Sequence, residues 1–306
     1  MGRLFKITYW IFVLKVLIIG SEGFVGYNLV DGLSEKFQIL TSDIEEKNGL
    51  DGYTQCDITN YEQVVKTVKG VDVVINLATH SLVSSLGEET RNAEVNIIGL
   101  LNILQACREN NIKKIIFTSA SSLIGEPESF EVSENHPTKP KTAYGITKLA
   151  SEHYLRLFQE LYKINFVVFR FFNIYGPHQK NGLIPSLYKK ISSNEPVTVF
   201  GDGKQLRDFV YIKDILPFFE NAISNDFANN SIYNIGTGIG TTIFDIITQM
   251  YEILDIKLEI QREPVRKGEI GNFIADTRKL EKIFGEKPNT SIKDGLEQTL
   301  SWLKAQ

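Results

Sequence analysis

The apolar run Val16-Leu17-Ile18-Ile19 passes directly into Gly20-Ser21-Glu22-Gly23-Phe24-Val25-Gly26, and few folds accommodate that junction. A strand that turns on glycine and opens a helix forms the phosphate end of a dinucleotide site. Gly20 can take the tight turn, Gly23 lets backbone approach a pyrophosphate, and Gly26 lets the helix pack closely on the strand. The pyrophosphate would rest on the N–H groups at the helix start, where Phe24 and Val25 lie, at the positive end of the helix dipole. Glycine-rich turns are common by themselves. Here the strand before and the amphipathic stretch Phe24–Leu33 after give the turn its meaning.

A second apolar stretch, Phe37-Gln38-Ile39-Leu40-Thr41-Ser42, ends at Asp43. That carboxylate lies about 20 residues beyond the glycines, where an acid accepts hydrogen bonds from adenosine ribose hydroxyls. Taken alone, Asp43 would be an ordinary turn acid. Glu45 and Glu46 follow it, with Lys47 as the nearby cation. This charge balance opposes a 2′-phosphate and favours NAD over NADP.

The 306 residues suffice for two domains or one large α/β domain. A net charge of −4 gives no electrostatic reason to expect a nucleic-acid or anionic-membrane partner. Cys56 and Cys107 stand in apolar surroundings without metal-ligand spacing and read as buried small hydrophobes. The scattered His80, His136, His153 and His178 suggest no metal site. Leu4 to Ile19 is largely apolar, but it is shorter than the ~20 residues of a membrane span, and Lys6 and Lys15 interrupt it. Arg3 before an apolar stretch also fits a signal peptide. Because the end of this run must form the first strand, the fold is expected to start near Leu14. Residues 1–13 then form an extension, with a membrane anchor the lesser reading and a cytoplasmic location expected.

Alternating apolar strands and helical patterns in the first half predict a parallel sheet with helices on both faces. Strands are expected at Thr54–Cys56, Val71–Leu77, Lys114–Thr118 and Phe166–Phe171, and helices at Tyr61–Val68, Glu94–Glu109 and Tyr144–Tyr162. From about Tyr175 glycine and proline become frequent and strands shorten. The pattern there predicts helices at Leu183–Ile191, Asp214–Ile223, Ile243–Leu254, Lys279–Phe284 and Lys293–Leu303, with extended segments at Val197–Phe200, Ile232–Ile235 and Leu258–Gln261. The expected fold is a Rossmann-type, doubly wound parallel sheet at 14–175 for the dinucleotide. A smaller α/β substrate domain is expected at 176–306, its segments free to interleave with the first.

Tyr144-Gly145-Ile146-Thr147-Lys148 carries the chemistry. Residues four apart on a helix share a face, so the phenol and the ammonium can converge. A phenol with a pKa of about 10 is a poor base at neutral pH. A nearby ammonium and a positive nicotinamide ring both stabilise the phenolate. Tyr-x-x-x-Lys is common on amphipathic helices, but after a dinucleotide turn, a strand and a serine-rich loop the catalytic reading gains weight.

With these motifs the chain resembles the extended short-chain dehydrogenase/reductase superfamily, nearest its NAD-dependent epimerase/dehydratase family acting on nucleotide sugars. The resemblance also includes Asp57-Ile58, Asn76-Leu77-Ala78, Asn96 and Arg170-Phe171-Phe172-Asn173-Ile174-Tyr175-Gly176-Pro177. It continues through Gly201-Asp202-Gly203-Lys204-Gln205-Leu206-Arg207-Asp208-Phe209-Val210, Asn234-Ile235-Gly236 and Arg266-Lys267-Gly268-Glu269. It implies that Asp57 and Ile58 flank the adenine of NAD and that Leu77 and Ala78 line the path from phosphate to ribose. Lys148 can also hold cofactor ribose. Asn173 and the backbone near Phe200 would contact a nucleotide diphosphate, Arg207 and Arg266 would clamp its phosphates, and Glu269 would accept ribose hydroxyls. Arginine forks suit diphosphate oxygens. Without the resemblance, Arg207 reads as a surface ion pair with Asp208, and Arg266 as a solvated charge.

The family carries a Ser or Thr where this chain has Ala120, and a Tyr where it has Ile124. Ser121, or else Ser119, is expected to supply the missing hydroxyl, although a serine cluster is also an ordinary polar turn. The resemblance implies a 4-epimerase of the UDP-glucose/UDP-galactose type, with N-acetyl forms also open, acting through a transient 4-keto sugar. A reductase, a decarboxylase, a dehydratase or a non-catalytic NAD-binding regulator are the alternatives. A dehydratase wants an Asp-Glu pair where Ala120-Ser121 stands. Leu82, Gly182 and Leu183 are expected to shape the sugar pocket. The family often forms homodimers through two long helices, here Glu94–Glu109 and Tyr144–Tyr162.

Overall fold

A computed structural model of the protein describes residues 14–47, 49–264 and 271–306. The expected extension at 1–13 and the expected substrate contacts Arg266 and Glu269 lie outside the described residues. Seven parallel strands form the central sheet, in the order Ser231–Ile235, Asn165–Phe171, Lys114–Ala120, Val73–Asn76, Lys15–Ile19, Gln38–Asp43 and Tyr53–Gln55. The fold is the Rossmann-type doubly wound sheet. Val16 to Ile19 are at most 1% exposed, as a strand covered on both faces requires. The chain runs outward from Lys15–Ile19 through Gln38–Asp43 to Tyr53–Gln55, then returns to the other side of the first strand at Val73–Asn76. That reversal opens a crevice at the carboxyl ends of the strands.

Three small sheets build the second lobe and its seam with the first. Leu206–Tyr211 pairs parallel with Asn173–Tyr175 and antiparallel with Gly240–Thr242. Val197–Phe200 pairs with Ile260–Glu263, and Glu131–Val132 with Ile274–Ala275. The pieces of two or three residues had no periodicity to announce them, and their partners lie far away in sequence. Ser231–Ile235 crosses back from the second half to complete the central sheet.

The helix expected at Glu94–Glu109 is longer and irregular. It starts as an α-helix at Glu89–Ala93, widens into a π-helical turn at Glu94–Ile98, and resumes as an α-helix over Gly99–Glu109. Gly99 packs there against Ile58, whose side chain would have to shift for a Cβ that would stand 2.5 Å from its Cδ1. Such single π turns often mark functional sites. Among the described residues no helix is long and apolar enough to cross a membrane.

Candidate active site

The crevice holds a cavity of about 790 Å³ that runs from the glycine turn to Tyr144 and Lys148. At one end Gly20 bends with φ +88° and donates its N–H to Ser42 O at 2.7 Å. A Cβ on Gly20 would lie 2.8 Å from Ala78 N, and one on Gly26 2.2 Å from Gly20 O. Protein atoms therefore require both glycines. Gly23 differs: a Cβ there would meet Gly20 O at 3.4 Å, ordinary contact. Its lack of a side chain suits something the cavity receives. The helix Phe24–Leu33 starts at Gly23 with no side-chain cap and no acid in its first turn. That arrangement leaves leading N–H groups for an anion.

Asp43 closes this end. Its Oδ2 accepts the Glu22 N–H at 2.9 Å and its Oδ1 the Ile44 N–H at 2.8 Å. A carboxylate offers about four acceptor sites, so lone pairs remain for ribose hydroxyls. Lys47 is bound by Glu22, whose hydrogen bond raises the lysine pKa. The one cation the sequence placed here is thus committed, consistent with NAD rather than NADP. Asp57 Oδ1 accepts from Thr59 N and Oγ1 at 2.9 and 2.8 Å, which fixes the loop that brings Asp57 and Ile58 to the cavity. Leu77, Ala78, Phe24 and Val25 line the same wall. The cradle that protein packing demands, the uncapped helix and the half-filled carboxylate together fit an NAD pyrophosphate and ribose.

At the other end, Thr142 caps the helix Ala143–Tyr162 by accepting the Gly145 N–H at 3.1 Å, which sets Tyr144 in the first turn. Lys148 is 3% exposed, donates to Thr118 O at 2.8 Å, and lies 5.4 Å from the centre of the Tyr144 ring. Burial drives Lys148 down to about 7, with Glu152 pulling the other way. Burial likewise pushes the Tyr144 hydroxyl up to about 12, while a side-chain hydrogen bond from Thr79 lowers it. The sequence anticipated a lowered phenol. The structure corrects this: desolvation of the buried hydroxyl outweighs that hydrogen bond.

The serines sort themselves by geometry. Ser119 is buried and donates to Glu152 Oε1 at 2.7 Å. That carboxylate also takes Arg170 Nε and Nη2 at 2.8 and 2.7 Å, so Ser119 belongs to a buried ion pair. Ser121 and Ser122 both line the cavity. Ile124 packs with Leu123, Val132, Phe172 and Phe273, a core role that accounts for an apolar residue there.

Asn173 lines the cavity and donates its Nδ2 to Asp208 O at 3.0 Å. Phe209, paired with Asn173 across the small sheet, lines it too. Arg207 lies two residues back and therefore on the same face of that strand. It donates to Leu206 O at 2.8 Å, while Phe200 accepts from Gln205 at its carbonyl. Neither Phe200 nor Arg207 belongs to the cavity wall itself. Asp208, considered above as a partner of Arg207, is buried and accepts from Thr237, Gly238 and Ala275. Leu82, Gly182 and Leu183 all stand on the wall. So do Thr79 and Arg91, which no motif singled out: Thr79 is one more polar residue after Ala78, and Arg91 sits in a charged helix face.

The model of the NAD dependent epimerase/dehydratase family matches residues 16–236. A candidate UDP-glucose 4-epimerase of Methanocaldococcus jannaschii is 31% identical over 303 residues, covering 94% of this chain and 98% of its own. Among solved structures, the UDP-glucose 4-epimerase of Thermotoga maritima with UDP-glucose superposes with a TM-score of 0.89 at 29% identity, covering 95% of this chain and 99% of that one. The UDP-glucuronic acid 4-epimerase of Bacillus cereus, solved with UDP-glucuronic acid and NAD, gives 0.87 at 28% identity, covering 95% and 99%. A glycine cradle, the Asp43 carboxylate beside it and a Tyr-Lys pair on one cavity agree with these matches across nearly the whole chain, and the protein belongs to the NAD-dependent epimerase/dehydratase family of extended short-chain dehydrogenases/reductases, enzymes whose cofactor is NAD.

Proposed function

We propose that this enzyme is a nucleotide-sugar 4-epimerase of the UDP-glucose/UDP-galactose type. The observation that carries the reading is the single cavity joining the dinucleotide cradle to Tyr144 and Lys148. In it, Gly20, Gly23, Phe24, Val25 and Gly26 hold the pyrophosphate, Asp43 the ribose hydroxyls, Asp57 and Ile58 the adenine, and Leu77 and Ala78 the path between. Bound NAD supplies a hydride acceptor and donor for sugar C4. Tyr144, as phenolate, takes the proton from the C4 hydroxyl and later returns it. Lys148 holds the nicotinamide ribose and favours the phenolate by its charge. Ser121 holds the same sugar hydroxyl from the loop. Asn173, the backbone at Phe200, Arg207, Arg266 and Glu269 anchor the nucleotide, so that the 4-keto sugar can turn about its diphosphate and present its other face. Every electron leaving C4 returns to it, and the reaction consumes no cofactor.

The acids on the cavity wall, Glu22, Asp43, Glu45 and Asp57, belong to the turns around the glycine cradle. The loop beside Tyr144 offers Ala120, Ser121 and Ser122 in place of an acid pair, which favours epimerisation over dehydration. The enzyme is further proposed to act as a homodimer. Ile146, Leu157 and Leu161, which are 55%, 42% and 59% exposed, recur at i, i+11 and i+15 along one face of the Ala143–Tyr162 helix. Sedimentation tests this pairing. The test of function is incubation with UDP-glucose, UDP-galactose, their N-acetyl forms and UDP-glucuronic acid, with product analysis and an absorbance record of NADH. Isomer interconversion without net NADH is expected, and Tyr144→Phe should lower it ~10²–10⁴-fold. Stoichiometric NADH formation, or no turnover of any of these sugars, would overturn the reading.

A further inference from the structure

A hydroxyl on the loop leaving the Val73–Asn76 strand shares the cavity wall with the Tyr144 phenol. It belongs to Thr79, whose side chain acts on the phenol to lower its pKa. Its Oγ1 also lies 3.0 Å from Asn96 Oδ1. That amide oxygen independently accepts the His80 N–H at 2.7 Å. The Asn96 amide nitrogen donates to His80 O at 3.1 Å and to Thr147 Oγ1 at 3.2 Å, and Thr147 donates to Asn92 Oδ1 at 3.0 Å. Asn96 is thus held on every side, on the π-helical turn that brings it here.

A threonine hydroxyl has one proton and two lone pairs. Aimed at Asn96, the Thr79 proton leaves its oxygen to accept from a neutral phenol. Rotated, it donates to a phenolate, and Asn96 Oδ1 still keeps the His80 N–H. Neither orientation strands a buried acceptor, which would cost about 1–3 kcal/mol. We propose that Thr79 is the positioning residue of the Tyr144 base, its hydroxyl turning from Asn96 to the phenol oxygen as the proton leaves, in a site where Ala120 brings no hydroxyl. This rests on the reading of Tyr144 as the base. The ionisable groups around it are Lys148 on its own helix with Glu152 behind, His80 paired with Glu88 at 3.1 Å, and Arg91, which lines the cavity and pairs with Glu94 at 3.2 Å. Removing the Thr79 hydroxyl leaves those pairs intact.

The test uses the full-length NAD-loaded protein and the Tyr144 phenolate absorbance, isolated by subtracting Tyr144→Phe. Thr79→Val should raise the titration by about one pH unit, a tenfold loss of acidity, whereas Thr79→Ser should leave it within a few tenths. Thr79→Ala replaces the valine variant if that one does not fold. With nucleotide sugar, the acid limb of kcat should move by the same amount while KM stays. An unmoved titration in Thr79→Val or Thr79→Ala overturns the inference. The titration needs no substrate, so a shifted phenolate in a protein without turnover supports the role of Thr79 while defeating the epimerase reading.

Discussion

Lys148 is an ammonium taken out of water, and its surroundings only partly compensate it. It has the Thr118 carbonyl at 2.8 Å, the Phe117 ring centre at 4.7 Å and the field of Glu152. Its folded pKa of about 7 lies below the unfolded 10.5, so between those values the unfolded chain binds the extra proton. Stability therefore rises as pH goes up from 7, and the cost is fully present below it. In nucleotide-free protein the Lys148 share of that rise should be about 1 kcal/mol per pH unit between pH 7 and 8.5. Lys148→Met should flatten it in urea melts taken across that range. An equal slope in both proteins would show that the ammonium is not the source. The Glu152–Arg170 pair behind it, with side chains 3% and 4% exposed, makes a second case. Arg170→Leu leaves a buried carboxylate uncompensated and should cost about 3–5 kcal/mol in the same melts. Tyr144 and Lys148 were legible because helical spacing alone puts them on one face. Thr79, Glu152 and Arg170 were not, because their partners are 65, 33 and 18 residues away in sequence and no local spacing encodes such contacts.

The strand–turn–helix unit at 15–33 was legible almost residue for residue, since each glycine answers a local steric demand. The structure divides those demands. Gly26 is fixed by the backbone of its own turn, while among the described residues a Cβ at Gly23 would meet only Gly20 O, at an ordinary 3.4 Å. Gly26→Ala should therefore lower the melting temperature, by the several degrees that a 1–3 kcal/mol overpacking penalty implies. Gly23→Ala should melt within a degree or two of the wild type yet bind NAD at least tenfold more weakly, as its new methyl occupies the pyrophosphate's approach. Calorimetry and NAD titration on both variants check this, and a Gly23→Ala protein with unchanged NAD affinity would remove the cradle from the argument. The irregular helix from Glu89 to Glu109 shows the opposite case. Val95, Ile98, Leu101 and Ile103 supply apolar spacing for an ordinary helix, and nothing in that spacing signals the π turn. The wider turn becomes intelligible through Asn96, which must reach Thr79 and His80 on another loop.

At the scale of the whole molecule, the boundary near residue 175 separates patterns of sequence more than units of stability. The Asn165–Phe171 strand is covered on one side by Lys114–Ala120 and on the other by Ser231–Ile235, which arrives from the second half. Phe169 is fully buried and faces the rings of Phe219, Tyr233 and Phe284 at 4.9, 6.3 and 6.1 Å, all three from beyond residue 175. Asn234 donates its N–H to Glu134 and its side-chain amide to the Val132 carbonyl, and Arg170 Nη1 reaches Glu134 O at 2.9 Å. A fragment ending at residue 180 would expose a hydrophobic edge strand and strip Phe169 of those three rings, a template for aggregation. It should show no cooperative melt, should bind a hydrophobic dye, and should not retain NAD. The full chain should unfold in one calorimetric transition whose van 't Hoff and calorimetric enthalpies agree. Two separate transitions, or a fragment that melts sharply and binds NAD, would mean that the strand from the second half is an ornament on the cofactor lobe. The burial of Tyr233 at 1% and Ile235 at 0% argues the reverse: the second half completes the sheet whose carboxyl edge bounds the cavity, so the cavity does not form before both halves do.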